Sequence, residues 1–141
     1  MTTIAASVKH QSMSADSRMS FDDTTYSINK IKQLKDGSLL GFSGSLALCL
    51  KMIDYIELEA PAPDVGGDLE FEIVILRKNG IELYPNQIEP VFLLDQFCGS
   101  GTGGKTALAA MRCGKTPKQA VEMALTVDAN SCGPVYTLRI P

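Results

Sequence analysis

Two dipeptides constrain this chain more than any other feature. Asp36-Gly37 and Asn79-Gly80 each stand between stretches rich in apolar and β-branched residues. Such pairs accept the backbone angles of a tight hairpin turn, so the flanking segments are expected to run antiparallel. Around the second pair, Phe71 to Arg77 (FEIVILR) reads as a strand and Ile81 to Tyr84 as its partner. Around the first, Thr24 to Leu34 (TTYSINKIKQL) carries Tyr26, Ile28, Lys30 and Lys32 in alternation, and Lys35 to Phe42 folds back about the turn. At the start, Thr2 to Val8 (TTIAASV) is small and apolar and reads as a buried strand. Lys9-His10-Gln11 is a turn, and Ser12 to Ala15 returns as a second strand, bringing Asp16 back towards the first residues. Phe21-Asp22-Asp23 reads as another turn, Phe92 to Cys98 as a strand entering a glycine-rich loop, and Pro134 to Ile140 as a last strand.

The apolar period changes from two to helical at Ser45. Leu46, Cys49/Leu50, Ile53 and Ile56 fall on one face of a helix from Ser45 to Glu57. Leu58 to Asp68 holds two prolines and two glycines and is expected to be a loop. Thr102 to Arg112 and Pro117 to Val127 have helical spacing, the second with Pro117 in its first turn. Antiparallel strands with helices in two separated groups predict a layered α+β sandwich, taken as one domain over residues 1–141.

Composition narrows the function. A net charge of -3 gives no footprint for a polyanion, so nucleic acid is not an expected partner. Cys49, Cys98, Cys113 and Cys132 are scattered and His10 is the lone histidine, so metal-ligand spacing is absent and reduced thiols are the simplest reading. No basic stretch followed by an apolar run opens the sequence, and no apolar run approaches the ~20 residues that span a bilayer. A cytoplasmic protein without membrane attachment is the expectation.

Two stretches carry candidate chemistry. Gly99 to Thr106 reads GSGTGGKT and satisfies G-x-x-x-x-G-K-[ST], the pattern of a phosphate-cradling loop with Lys105 for the phosphates. Against it stand the hairpin-linked strands, because a nucleotide-binding sheet of that kind needs parallel strands and crossover helices. The other stretch is Met1-Thr2-Thr3. Thr2 is small enough for an aminopeptidase to remove Met1, which would leave a hydroxyl beside a free α-amine. Such an amine has a pKa of about 7.7–8.0 and is a usable base near neutral pH.

The chain resembles the proteasome β-subunit and HslV-type peptidases, N-terminal nucleophile hydrolases, over nearly its whole length. The resemblance rests on TTIAASVK at the start, ADSR at Ala15 to Arg18, NKIKQL at Asn29 to Leu34 and GFSG at Gly41 to Gly44. It continues with GSG at Gly99 to Gly101 and DANSCG at Asp128 to Gly133, all in matching order. It implies a four-layer αββα sandwich, here with a reduced helix layer between residues 45 and 70. It implies threonine-type peptidase activity with Thr2 as nucleophile and its amine as proton acceptor. Lys30 would favour the ionised hydroxyl, Asp16 would hold Lys30 in place, and the Gly44 N–H would be the oxyanion donor. Ser100, Asp128 and Ser131 would hydrogen-bond around the amine and the catalytic water. No cofactor is required. The implied partners are further copies of the chain in a ring, a peptide or unfolded-protein substrate and an ATP-dependent unfoldase. A catalytically silent ring-forming subunit and a P-loop protein are the alternatives.

Overall fold

The computed structural model describes residues 2–141; Met1, and with it the expected removal of Met1, lies outside the described residues. Strands β1 (Ile4–Ser7) and β2 (Ser12–Ala15) form the opening hairpin, and all their residues are buried. β3 (Arg18–Phe21) and β4 (Thr24–Ser27) make a separate two-stranded ribbon that turns at Asp22 and Asp23, both left-handed. β5 (Ile31–Gln33) and β6 (Leu39–Gly44) follow, then α1 (Leu46–Leu58), β7 (Phe71–Arg77) and β8 (Gly80–Pro85). β9 (Val91–Leu93), β10 (Phe97–Ser100), α2 (Gly104–Arg112), α3 (Pro117–Leu125) and β11 (Tyr136–Arg139) complete the order.

The remaining strands form two antiparallel sheets, ordered β10-β1-β2-β11 and β5-β6-β7-β8-β9. Period-two alternation then assigns the layers. Ile4 and Ala6 of β1 meet Leu39, Val74 and Leu76 of the other sheet in a core between the sheets. Ala5 faces the opposite way, onto Ala107, Ala110, Met111, Ala120, Val121 and Ala124 of α2 and α3. On the far side Leu40, Ile73 and Ile75 pack under Leu48, Cys49, Met52 and Ile53 of α1. The result is the αββα sandwich, with one helix in the layer between residues 45 and 70. Gly41 marks how closely the sheets approach, since a Cβ there would sit 2.9 Å from Met13 Sδ and 3.0 Å from Ile4 Cγ2.

Four local expectations change. The stretch 24–34 is not one strand: β4 ends at Ser27, and residues 28–30 turn inward as Ile28 N–H bonds Ser17 O. The stretch 92–98 is also split, because the chain crosses between sheets after Leu93, whose strand pairs with β8, and re-enters at Phe97 beside β1. The buried face of α1 is Leu48, Cys49, Met52 and Ile53, whereas Leu46 and Leu50 are exposed. The β7–β8 hairpin forms with Lys78 and Asn79 as its turn, since Arg77 pairs directly with Gly80. Gly37 does use its freedom, at φ 91°.

Candidate active site

Sequence and packing together bring the singled-out residues to one end of β1. Thr2 precedes β1 and is 5% exposed. Its carbonyl accepts from Gly103 N–H at 3.3 Å and Thr102 Oγ1 at 3.4 Å. Glycines at 101 and 103 are required by contact: a Cβ at Gly101 would run into Thr2 O, and one at Gly103 into Thr3 Oγ1. The glycine-rich turn from β10 into α2 therefore packs on the chain's own first residues at Gly101 and Gly103, while Ser100, Thr102 and Lys105 line an open cleft. What departs from a nucleotide-binding sheet is the strand before the loop, since β10 pairs antiparallel with β1. Lys105 is exposed on the first turn of α2.

Asp16 follows β2 and is fully buried. Its Oδ1 accepts from Thr3 N–H at 2.9 Å and its Oδ2 from Cys132 N–H at 3.2 Å. Lys30 Nζ donates to both oxygens, at 3.1 and 3.0 Å, and Lys30 is 3% exposed. Each carboxylate oxygen thus holds one backbone N–H and one ammonium hydrogen, which fixes both side chains. Burial pushes the Lys30 ammonium below its ordinary value of 10.5, while Asp16 pulls in the opposite direction and Arg18 adds to the lowering. An ammonium held in place by a carboxylate and facing a hydroxyl can stabilise the ionised form of that hydroxyl.

Thr2, Lys30 and Gly44 line one cleft of about 460 Å³ whose remaining walls are mostly apolar, with Met19, Phe21, Ile28, Phe42 and Leu46 among them. Arg18 also lines it, and its Nε is buried without a hydrogen-bond partner among the described residues. Gly44 has φ 94°, and a Cβ there would strike Glu70 O. Only glycine fits that end of β6.

The remaining positions fall into two separate groups. Asp128 Oδ2 accepts from Thr102 Oγ1 at 2.6 Å and from Ser131 Oγ at 2.7 Å, and Ser131 Oγ also meets Thr3 Oγ1 at 2.8 Å. Burial raises the Asp128 carboxyl, but the hydrogen bonds from Thr102, Ser131 and Asn130 N–H outweigh it, and the group lies below its ordinary 3.8. Ser100 is elsewhere: it donates to Glu72 Oε1 at 2.5 Å and meets Ser43 Oγ at 3.0 Å. Ser100 lines a second cleft, of about 530 Å³, which shares Ser43 and Gly44 with the first.

Thr3, Thr102, Ser43 and Glu72 were not singled out from the sequence. For Glu72 a signal exists. In FEIVILR, Val74 and Leu76 face the core between the sheets, and period two puts Glu72 on that same face. A carboxylate on a buried face needs a donor, and here the donor is Ser100.

With this geometry in hand the fold can be placed. It is the αββα sandwich of HslV- and proteasome-type N-terminal nucleophile hydrolases. The chain is similar to the crystal structure of eukaryotic HslV from Trypanosoma brucei, at 20% identity and TM-score 0.71, covering 97% of this chain and 99% of that one. It is similar also to Thiobacillus denitrificans BPH in complex with epoxomicin, at 18% identity and TM-score 0.70, covering 99% of both chains. A further structure of Thiobacillus denitrificans BPH is similar at 18% identity and TM-score 0.67, over 99% of this chain and 98% of that one. No family model matches the sequence. No curated protein matches it either.

Proposed function

We propose that the chain is a threonine-type peptidase that hydrolyses amide bonds through Thr2 once Met1 has been removed. The observation that carries the reading is Lys30, paired with the buried Asp16 and lining the same cleft as Thr2. Such a pair is costly to bury and is justified where a fixed positive charge is needed. In this reading the Thr2 α-amine takes the hydroxyl proton, directly or through water, and the oxygen attacks the scissile carbonyl. Lys30 favours the developing anion, and the Gly44 N–H receives the carbonyl oxygen as it becomes an oxyanion. The amine's proton passes to the leaving amine, and water then releases the acyl group from Thr2. Ser100, Asp128 and Ser131 support the amine and the water. The mostly apolar walls of the cleft suit an apolar side chain of a peptide or unfolded protein. Ring assembly of identical copies, an ATP-dependent unfoldase as partner and a cytoplasmic setting belong to the same proposal. No helix among the described residues is long and apolar enough to cross a membrane.

The test is intact mass before and after incubation with a peptide epoxyketone, which closes a ring using both the hydroxyl and the free amine of an N-terminal threonine. The expected species lacks Met1, gains one inhibitor mass, and fails to do so as T2A. A Met1-free chain that stays unmodified overturns the peptidase reading; where Met1 is still attached, the reading fails for that material. A second reading, a catalytically silent subunit of the same fold, is favoured by one observation. Asp128 and Ser131 bond Thr102 and Thr3, and Ser100 is given to Glu72, with none of them bonded to Thr2 among the described residues. An unmodified chain that still assembles would establish it.

A further inference from the structure

We infer that Glu72 is a positioning residue that clamps the two glycine corners of the active site at a fixed separation; this rests on the peptidase reading. A serine hydroxyl has a single proton, and Ser100 gives its proton to Glu72 Oε1. Ser100 must then accept from Ser43, so the chain of hydrogen bonds runs in one direction, Ser43 to Ser100 to Glu72. Ser43 and Glu72 are direct cross-strand partners on β6 and β7, while Ser100 belongs to β10 of the other sheet. The carboxylate therefore ties the two sheets together through hydroxyls that are 6% and 2% exposed.

What makes the tie matter is where the serines sit. Ser43 immediately precedes Gly44, with φ 94°, and Ser100 immediately precedes Gly101, with φ 83°. Gly44 is the corner proposed to receive the oxyanion, and Gly101 packs on the backbone of Thr2. Ser43 is held from behind as well, since Cys49 Sγ of α1 donates to its carbonyl at 3.3 Å. The distance between nucleophile and oxyanion donor is thus set by a link ending on Glu72. Transition-state stabilisation depends steeply on that distance, and an error of about 1 Å costs on the order of 10²-fold in rate.

The experiment compares wild type, E72V and E72Q on a fluorogenic peptide. E72V should lower kcat by about 10²-fold while KM stays within about threefold, because ground-state binding in the apolar cleft is untouched. E72Q keeps an oxygen to accept from Ser100 and should recover kcat to within about tenfold of wild type. A residue that only stabilises the fold would shift the melting temperature without this split or this rescue. Wild-type kcat in E72V, or E72Q no better than E72V, overturns the inference. If E72V does not fold, S43A takes its place: it breaks the same link from the other end, a fall in kcat supports the clamp, and an unchanged kcat overturns it. A wild type without Thr2-dependent turnover sinks the peptidase reading instead. The clamp is then judged on the Gly44 and Gly101 amide resonances, which should both move in E72V and hold in E72Q; unmoved resonances in E72V overturn it.

Discussion

At Arg77, a guanidinium reaches Asp36 and Glu82 at 2.7 Å each, with Arg77 and Asp36 41% and 57% exposed. At Lys30, the contact with Asp16 is longer, 3.0 Å, and the two side chains are 3% and 0% exposed. The shorter contacts belong to the weaker interaction. Exposed pairs are worth roughly 0.2–1 kcal/mol because water and salt compete for the same charges. A buried pair is different in kind: forming it gains little over an apolar replacement, but removing one partner strands a charge. The Arg77 cluster lies at the surface, whereas Lys30 and Asp16 carry a desolvation cost that the proposed use of the charge would account for.

That contrast can be broken in three ways. The largest effect is expected from D16N, which leaves the Lys30 ammonium buried with no carboxylate; urea denaturation should show a loss of about 3–5 kcal/mol. The double variant D16N/K30M should regain most of that stability yet still fail to react with the epoxyketone. Equal loss in single and double variants would mean that the charge was not what the burial served.

A smaller effect lies in pH. Burial holds the Lys30 pKa below 10.5, so between its folded value and 10.5 the unfolded chain binds more protons and stability rises with pH. The contribution is complete above 10.5 and is lost as pH falls through the folded value. Denaturation of wild type and D16N/K30M across that window should therefore show the difference moving in favour of wild type as pH rises. A flat difference would refute the burial argument. Asp36 has the same sign in acid: hydrogen bonds from Ser38, then Arg77, hold it below 3.8, so its contribution is present above 3.8 and is lost as pH falls through the lowered value.

The smallest effect is expected from R77A, below about 1 kcal/mol and fading as salt is added. A salt-independent loss matching that of D16N would erase the contrast between the two regions.

Much of this was legible in the sequence for physical reasons. Short apolar segments and a change of period at Ser45 give strands, a helix and their order, and Ser45 caps α1 as its hydroxyl accepts from Leu48 N–H at 3.4 Å. The strand break at residues 28–30 was not legible, because Tyr26, Ile28, Lys30 and Lys32 alternate through it, and the polar pair Asp95-Gln96 that marks the second break lies within a stretch that reads as one strand. What ends the strands is tertiary, an inward turn that delivers Lys30 to Asp16 and a crossing between sheets. The ribbon β3–β4 was missed at its first strand, since Arg18–Phe21 gains its pairing only from β4 and buries little. At the site, the Asp16–Lys30 pairing was readable as a spacing within the resemblance. The separation of Ser100 from Asp128 and Ser131 was not, because it depends on Glu72 accepting the Ser100 hydroxyl while Thr102 and Ser131 both donate to Asp128.

The hydrogen bonds at the site join residues far apart in the chain: Thr3 to Ser131 across 128 positions, Asp16 to Cys132 across 116 and Thr102 to Thr2 across 100. The Thr3–Asp16 and Asp16–Lys30 bonds are local by comparison, but the loops that bring Ser131, Cys132 and Thr102 to the site are long and slow to close. The site is therefore complete only once the chain has been made as far as Cys132. A chain still emerging from the ribosome, with residue 132 not yet made, has Thr2, Asp16 and Lys30 but lacks the contacts from Ser131 and Cys132. Whatever chemistry the finished molecule performs, its own synthesis is the timer that withholds it.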